Sequence, residues 1–251
     1  MGSHLGAIGF PSGSLQQQIE RLIPHSSQLG ESDDGLTRVI AHEDASGSRV
    51  VITLEQDVIV CLTPTFRPGQ TLAVSVSSMA PNECPYERPL IVEILGDDLG
   101  EYPLAIQIED LALGDERFVP GSRAQLEVAA LAETITIFPD ETAYYASGTA
   151  MSSRSVIPSG LFAPPGSPEE DSFSSSPRML MQGIVTSSDL LQHSVLRGSF
   201  VRMTVNSHAA TFEVLAGARD LADTSGTLMV PAPGAVVSGQ FWLSGRLLAG
   251  A

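Results

Sequence analysis

The chain has 251 residues, with 13 Lys+Arg against 29 Asp+Glu and a formal net charge of -16. Roughly 70% of the unfolded surface can be buried at this length, so a core forms without staples; with 43% hydrophobic and 17% charged residues, wholesale disorder is excluded. Every one of the 13 basic residues is arginine, which excludes lysine Schiff-base chemistry and a lysine phosphate anchor, and the acidic excess disfavours nucleic-acid phosphates and anionic lipid heads.

The absence of lysine beside abundant glycine and proline points to GC-rich coding and a bacterial source. The first residues carry no basic segment followed by an apolar one, and no run approaches the ~18 apolar residues of a membrane span. The expectation is a soluble, cytoplasmic protein.

The chain begins with a helix. Ser14 caps it, Gln17 completes a capping box, and Leu15, Ile19, Leu22 and Ile23 share one face. Pro24 ends it, and an acidic loop runs from Glu31 to Gly35. Strand signals follow at Leu36–His42, Ser48–Glu55, Asp57–Thr63, Thr71–Met79, Leu90–Leu95, Tyr102–Glu109, Ala124–Val128 and Thr134–Phe138. Turn residues separate them, as at Ala45-Ser46-Gly47, Arg67-Pro68-Gly69 and Asp97-Asp98-Leu99-Gly100. No long amphipathic helix lies between these strands, so antiparallel pairing is expected over βαβ units.

Residues 147–178 differ in kind, with ten Ser, five Pro and three Gly. Such a composition offsets little ordering entropy and reads as a linker. One apolar island, Val156 to Phe162, interrupts it and suits docking on a domain surface or a partner. Charge shifts across the boundary, from net -17 over residues 1–171 to +1 over 172–251. After it come strands at Met179–Val185, Phe200–Val205 and Ala210–Leu215, a short helix at Gly217–Ala222, and a last strand from Val236 with glycines at 239 and 245. Gly183 and these two glycines mark bends. The expected fold is mainly β: an acidic antiparallel domain over 1–146 with one N-terminal helix, a linker over 147–178, and a small OB-like barrel over 179–251.

No motif assigns a reaction. A Gly-x-Ser-x-Gly elbow, a His-Glu-x-x-His or Cys-x-x-Cys metal motif and a phosphate-cradling glycine loop are all absent. No cofactor is expected. Cys61 reads as a buried strand residue and Cys84 as a loop residue, and a bridge between them is unforced. His42-Glu43-Asp44 reads as a solvated turn, and His193 as a surface or packed residue. Asp97, Asp98 and Glu101 are the best carboxylate cluster for a hard cation.

The leading functional expectation is a non-enzymatic binding protein, immunity-like or scaffold-like, whose acidic face receives a basic protein partner. Trp242 and Phe162 are the candidate anchors and Asp110, Asp115 and Glu116 the candidate charges. Self-association is compatible with the same surface. Two alternatives stand beside it: a hydrolase-type site assembled from scattered carboxylates and histidines, and ligand or single-strand binding by the C-terminal barrel.

Overall fold

A computed structural model of the chain describes residues 4–32, 35–95, 101–116, 118–159, 176–223 and 225–248. It is mainly β, with two sheets. Strands β1 (Ser27–Glu31), β2 (Thr37–Glu43), β3 (Ser48–Glu55) and β4 (Val58–Phe66) form a four-stranded antiparallel meander. The other nine form one sheet: β5 (Leu72–Met79), β6 (Pro89–Leu95), β7 (Glu101–Ile108), β8 (Arg123–Phe138), β9 (Ser155–Pro158), β10 (Arg178–Gln192), β11 (Ser199–Asn206), β12 (Thr211–Gly217) and β13 (Val236–Leu248).

The spine of the large sheet is an antiparallel ribbon of β8 and β13, paired from Val236↔Phe138 to Leu248↔Gln125. A strand has only two hydrogen-bonding edges, so the remaining edge of each spine strand is divided between two neighbours. β8 takes β5 at Arg123–Leu126 and β12, in parallel, at Ala129–Leu131. β13 takes β10 over Val236–Trp242 and β7, in parallel, at Ser244–Gly245. β6 joins β5 to β7, and β11 joins β10 to β12. Two five-stranded circuits therefore share the ribbon. Gly239 and Gly245 allow the close approach: a Cβ at either would overlap the carbonyl oxygen of Thr134 or Glu127 on β8.

Alternation along β8 sorts its side chains between two cores. Leu126, Val128, Ala130 and Ala132 join the main core with Val74, Val92, Ile106, Met203, Val214 and Phe241. Ala129 and Leu131 face the other way, onto Val50, Ile52, Leu54 and Phe66 of the four-stranded sheet. The alanine-rich centre of β8 reads in sequence as a break between two strands; here it is one 16-residue strand covered on both faces.

The expected division into separately packed bodies over 1–146 and 179–251 is not what forms. The ribbon pairs a strand from each half, and the main core draws on both. The C-terminal strands close their circuit only by borrowing β8, so residues 179–251 make no self-contained OB-like barrel. Composition and charge vary along the chain, but neither reports pairing between segments about a hundred residues apart. Part of the expected linker is also structural. Val156 and its neighbours form β9 and pair with β10, and Tyr102 Oη donates to the Val156 carbonyl. The rest of that stretch, 160–175, lies outside the described residues.

Local expectations fare unevenly. Helix α1 (His4–Ala7) precedes α2 (Leu15–Leu22), which starts where Ser14 Oγ accepts the Gln17 amide at 3.4 Å. Of the proposed apolar face, Ile19 and Leu22 are buried, whereas Leu15 and Ile23 are exposed. β1 occupies part of what reads as an acidic loop. The segment after Gly217 is a set of turns, not a helix. A third helix, α3 (Glu141–Ala146), is capped by Asp140, whose Oδ1 accepts the Ala143 amide at 2.8 Å.

One charged contact crosses between the sheets. Arg49 of β3 and Glu109, just after β7, are both almost fully buried, with guanidinium and carboxylate 3.0 Å apart. That carboxylate oxygen has no hydrogen-bond partner, so the approach is ionic rather than directional. Burial drives the Glu109 carboxyl up to about 7, against the opposing pull of Arg49. A carboxyl raised in the fold binds its proton there more tightly than in the unfolded chain. Its contribution is therefore most favourable at low pH and declines as pH rises from about 4.5 to about 7. Glu109→Gln removes this dependence. The stability of wild type minus Glu109→Gln, from urea unfolding, should fall by roughly 3 kcal/mol across that window and stay flat above it; a difference that rises with pH contradicts the assignment.

Candidate functional site

Three places in the fold gather chemistry. The first is the end of the four-stranded sheet where β1 turns into β2 and β3 into β4. Gln56 and Asp57 both have positive φ (49° and 64°) and make a two-residue hairpin turn of the mirror-image kind that matches strand twist. β4 then opens with Val58, Ile59 and Val60, exposed by 64, 40 and 38%. This is the longest run of exposed large apolar residues among the described residues. Leu36, whose carbonyl accepts the Gln56 amide, adds another exposed side chain. Exposed Glu31, Glu55 and Asp57 surround them, with Asp57 holding Arg38 at 2.8 Å. β1 and β4 are the two ends of the sheet's strand order.

The second place is buried. His42 is the penultimate residue of β2, Asp44 follows that strand, and His193 follows β10. Their exposures are 3, 7 and 1%. Asp44 anchors two turns at once. Its Oδ1 accepts the Ser46 amide at 2.9 Å and the Ser46 hydroxyl at 2.6 Å. Its Oδ2 accepts the Ser194 amide at 2.9 Å and the Ser194 hydroxyl, across 150 positions of sequence. The imidazoles of His42 and His193 stack at 5.3 Å, and the edge of Phe10 meets His193. Burial raises the Asp44 carboxyl, but hydrogen bonds from Ser194 and Ser46 and the nearby His193 outweigh it and bring the group down to about 2. Burial lowers His193 to about 4 despite the Asp44 charge, so the imidazole is neutral at pH 7. The Ser194 hydroxyl is committed to Asp44 rather than to an imidazole, which is not the arrangement that activates a serine nucleophile.

The third place is a cavity of about 130 Å³ beside β4, lined by His4, Thr63, Glu87, Gln107 and Trp242 among others. Trp242 is half-buried. Its ring lies 4.6 Å from that of His4, and the Arg178 guanidinium sits 4.7 Å from its centre. His4 and Arg178 both bind Glu133, at 2.8 and 2.9 Å. The indole is thus partnered within the fold.

Of the carboxylates expected to gather a cation, Asp97 and Asp98 lie outside the described residues, and Glu101 opens β7. Phe162 also lies outside them. Asp110 precedes the 3-10 turn Leu111–Leu113, Asp115 is exposed and paired with Arg88 at 2.8 Å, and Glu116 is exposed. Both cysteines are free; Cys61 is buried as expected and Cys84 is partly exposed. The reading of His42-Glu43-Asp44 as a solvated turn is corrected: only Glu43 is exposed. Serines two residues beyond Asp44 and one beyond His193 were the available clue, but pairing of the two turns is a tertiary event. No helix among the described residues is long and apolar enough to cross a membrane.

No protein-family model, curated protein or solved structure matches the chain.

Asp44→Ala leaves two serine hydroxyls and two amides without their acceptor. It should cost about 3 kcal/mol or more in urea unfolding at pH 7 with chelator present. A loss below about 1 kcal/mol would remove Asp44 as the joint between the turns.

Proposed function

We propose that the protein is a binding module that receives a basic protein segment, in extended conformation, at the end of the four-stranded sheet. The observation that carries this reading is the exposed Val58-Ile59-Val60 run at the start of a terminal strand, bordered by Glu31, Glu55 and Asp57. An exposed apolar strand that ends a sheet offers backbone groups to an added strand and side-chain contact to its apolar residues. Glu31 and Glu55, beside an Asp57 already paired with Arg38, select a cationic partner and steer its approach.

The charge layout supports the same reading. Among the described residues, seven arginines (Arg38, Arg49, Arg67, Arg88, Arg178, Arg202 and Arg246) sit in ion pairs with carboxylates of the chain itself. Their charge is locally neutralised, and the excess of Asp and Glu sets the outward field. The basic partner anticipated from composition is kept, whereas its anchors move from Trp242 to β4.

A synthetic peptide alternating arginine and valine serves as probe. It should perturb backbone amide NMR signals first at residues 29–38 and 55–62, with affinity falling at least about tenfold between roughly 0.05 and 0.5 M NaCl. Val58→Asp should weaken it by a further tenfold or so. Perturbations centred elsewhere, or an affinity indifferent to salt, would contradict the assignment.

A further inference from the structure

The buried His42–Asp44–His193 group contains an electrostatic contact that its hydrogen bonds leave open. Backbone N–H groups only donate. The amides of Val195 and Leu196 each lie 3.3 Å from His193 Nδ1, so that nitrogen is the unprotonated one, its single lone pair shared between two long contacts rather than committed to either. Asp44 Oδ2, an acceptor for both Ser194 groups, lies 3.3 Å from the same nitrogen. Two lone-pair atoms this close repel unless a proton or a metal cation sits with them. On the other side of the stack, the His25 carbonyl lies 3.3 Å from His42 Nδ1. A carbonyl only accepts, so Nδ1 carries the proton and Nε2 the lone pair. His42 Nε2 is buried and has no partner.

These are the features of a pre-oriented metal site. A carbonyl on the far nitrogen fixes the tautomer and direction of the His42 imidazole, whereas the far nitrogen of His193 is buried without a partner. One ligand atom from each of the three residues lies within 4.8 Å of the other two. The 3.3 Å separation of Nδ1 and Oδ2 matches the edge of a tetrahedron with bonds of about 2.0–2.1 Å. Two imidazoles and a carboxylate suit zinc better than calcium or magnesium, which take oxygen ligands. We propose that His42, Asp44 and His193 bind a zinc-class divalent ion that locks the β2–β3 turn to the β10–β11 connection.

The test titrates Co²⁺, a coloured stand-in for zinc, into the tag-free, chelator-stripped full chain. Saturation at one equivalent is expected, with visible ligand-field absorption that Zn²⁺ abolishes by displacement. His42→Gln should weaken binding at least about 100-fold, beyond the 10- to 100-fold expected of a residue that only orients a ligand. His208→Gln, at an exposed histidine in a different cleft, should leave it unchanged. Since His42 is also packed, hydrogen exchange on the wild-type chain supplies a second readout: Zn²⁺ should slow the amides of residues 42–48 and 193–198 together. No absorption from the wild-type chain, absorption that survives His42→Gln, or no slowing at those two segments would overturn the site.

Discussion

Everything in this fold hangs on the pairing of β8 with β13. No single neighbour covers the whole free edge of either strand, so each passes from one five-stranded circuit into the other. The ribbon gives both circuits a common wall, and its outer face supplies the floor on which the four-stranded sheet rests. The small residues of the two strands make this sharing feasible. Glycines at 239 and 245 let the backbones approach, and Ala129, Ala130 and Ala132 leave room on both faces.

This arrangement explains why buried polar groups collect where they do. The four-stranded sheet meets the large sheet through apolar packing and, among the described residues, through two buried ionic or polar joints. One is Arg49 with Glu109, and the other is the Asp44 hub with its two serines and two histidines. Both joints connect segments far apart in sequence. A buried charge costs several kcal/mol unless it is paired or hydrogen-bonded, so each joint rewards the correct docking of the sheets and penalises a slipped one. The surface works in the opposite sense. Arginines are spent on local ion pairs, the remaining carboxylates repel one another and anionic surfaces, and an apolar strand end is left open among them.

Local structure was legible in the sequence to the extent that it rests on local physics. The Ser14 cap, the stop at Pro24, the alternating strand β5 and the glycine-bearing β13 follow from capping, proline geometry and period-two patterning, whereas β7 forms where its alternation places a strand but is buried on both faces, Gln107 included. The errors share one cause. Ala129–Ala132 has weak strand propensity and is held extended only because β12 and β13 flank it. The island at Val156 joins a sheet because β10 offers an edge. His42, Asp44 and His193 carry no spacing motif, since their meeting depends on two turns brought together by the docked sheets. Charge asymmetry along the chain is real, but charge reports on surface and not on strand pairing.

The most direct measurement of the central claim is native-state hydrogen exchange followed by mass spectrometry through a urea series. If the ribbon is the shared wall of one cooperative structure, amides of residues 125–138 and 236–248 will be the slowest in the chain. They will lose protection in a single transition with those of β6 and β11. Loss of protection across residues 179–251 at a urea concentration where β5, β6 and β8 stay fully protected would show two independent bodies and contradict the account.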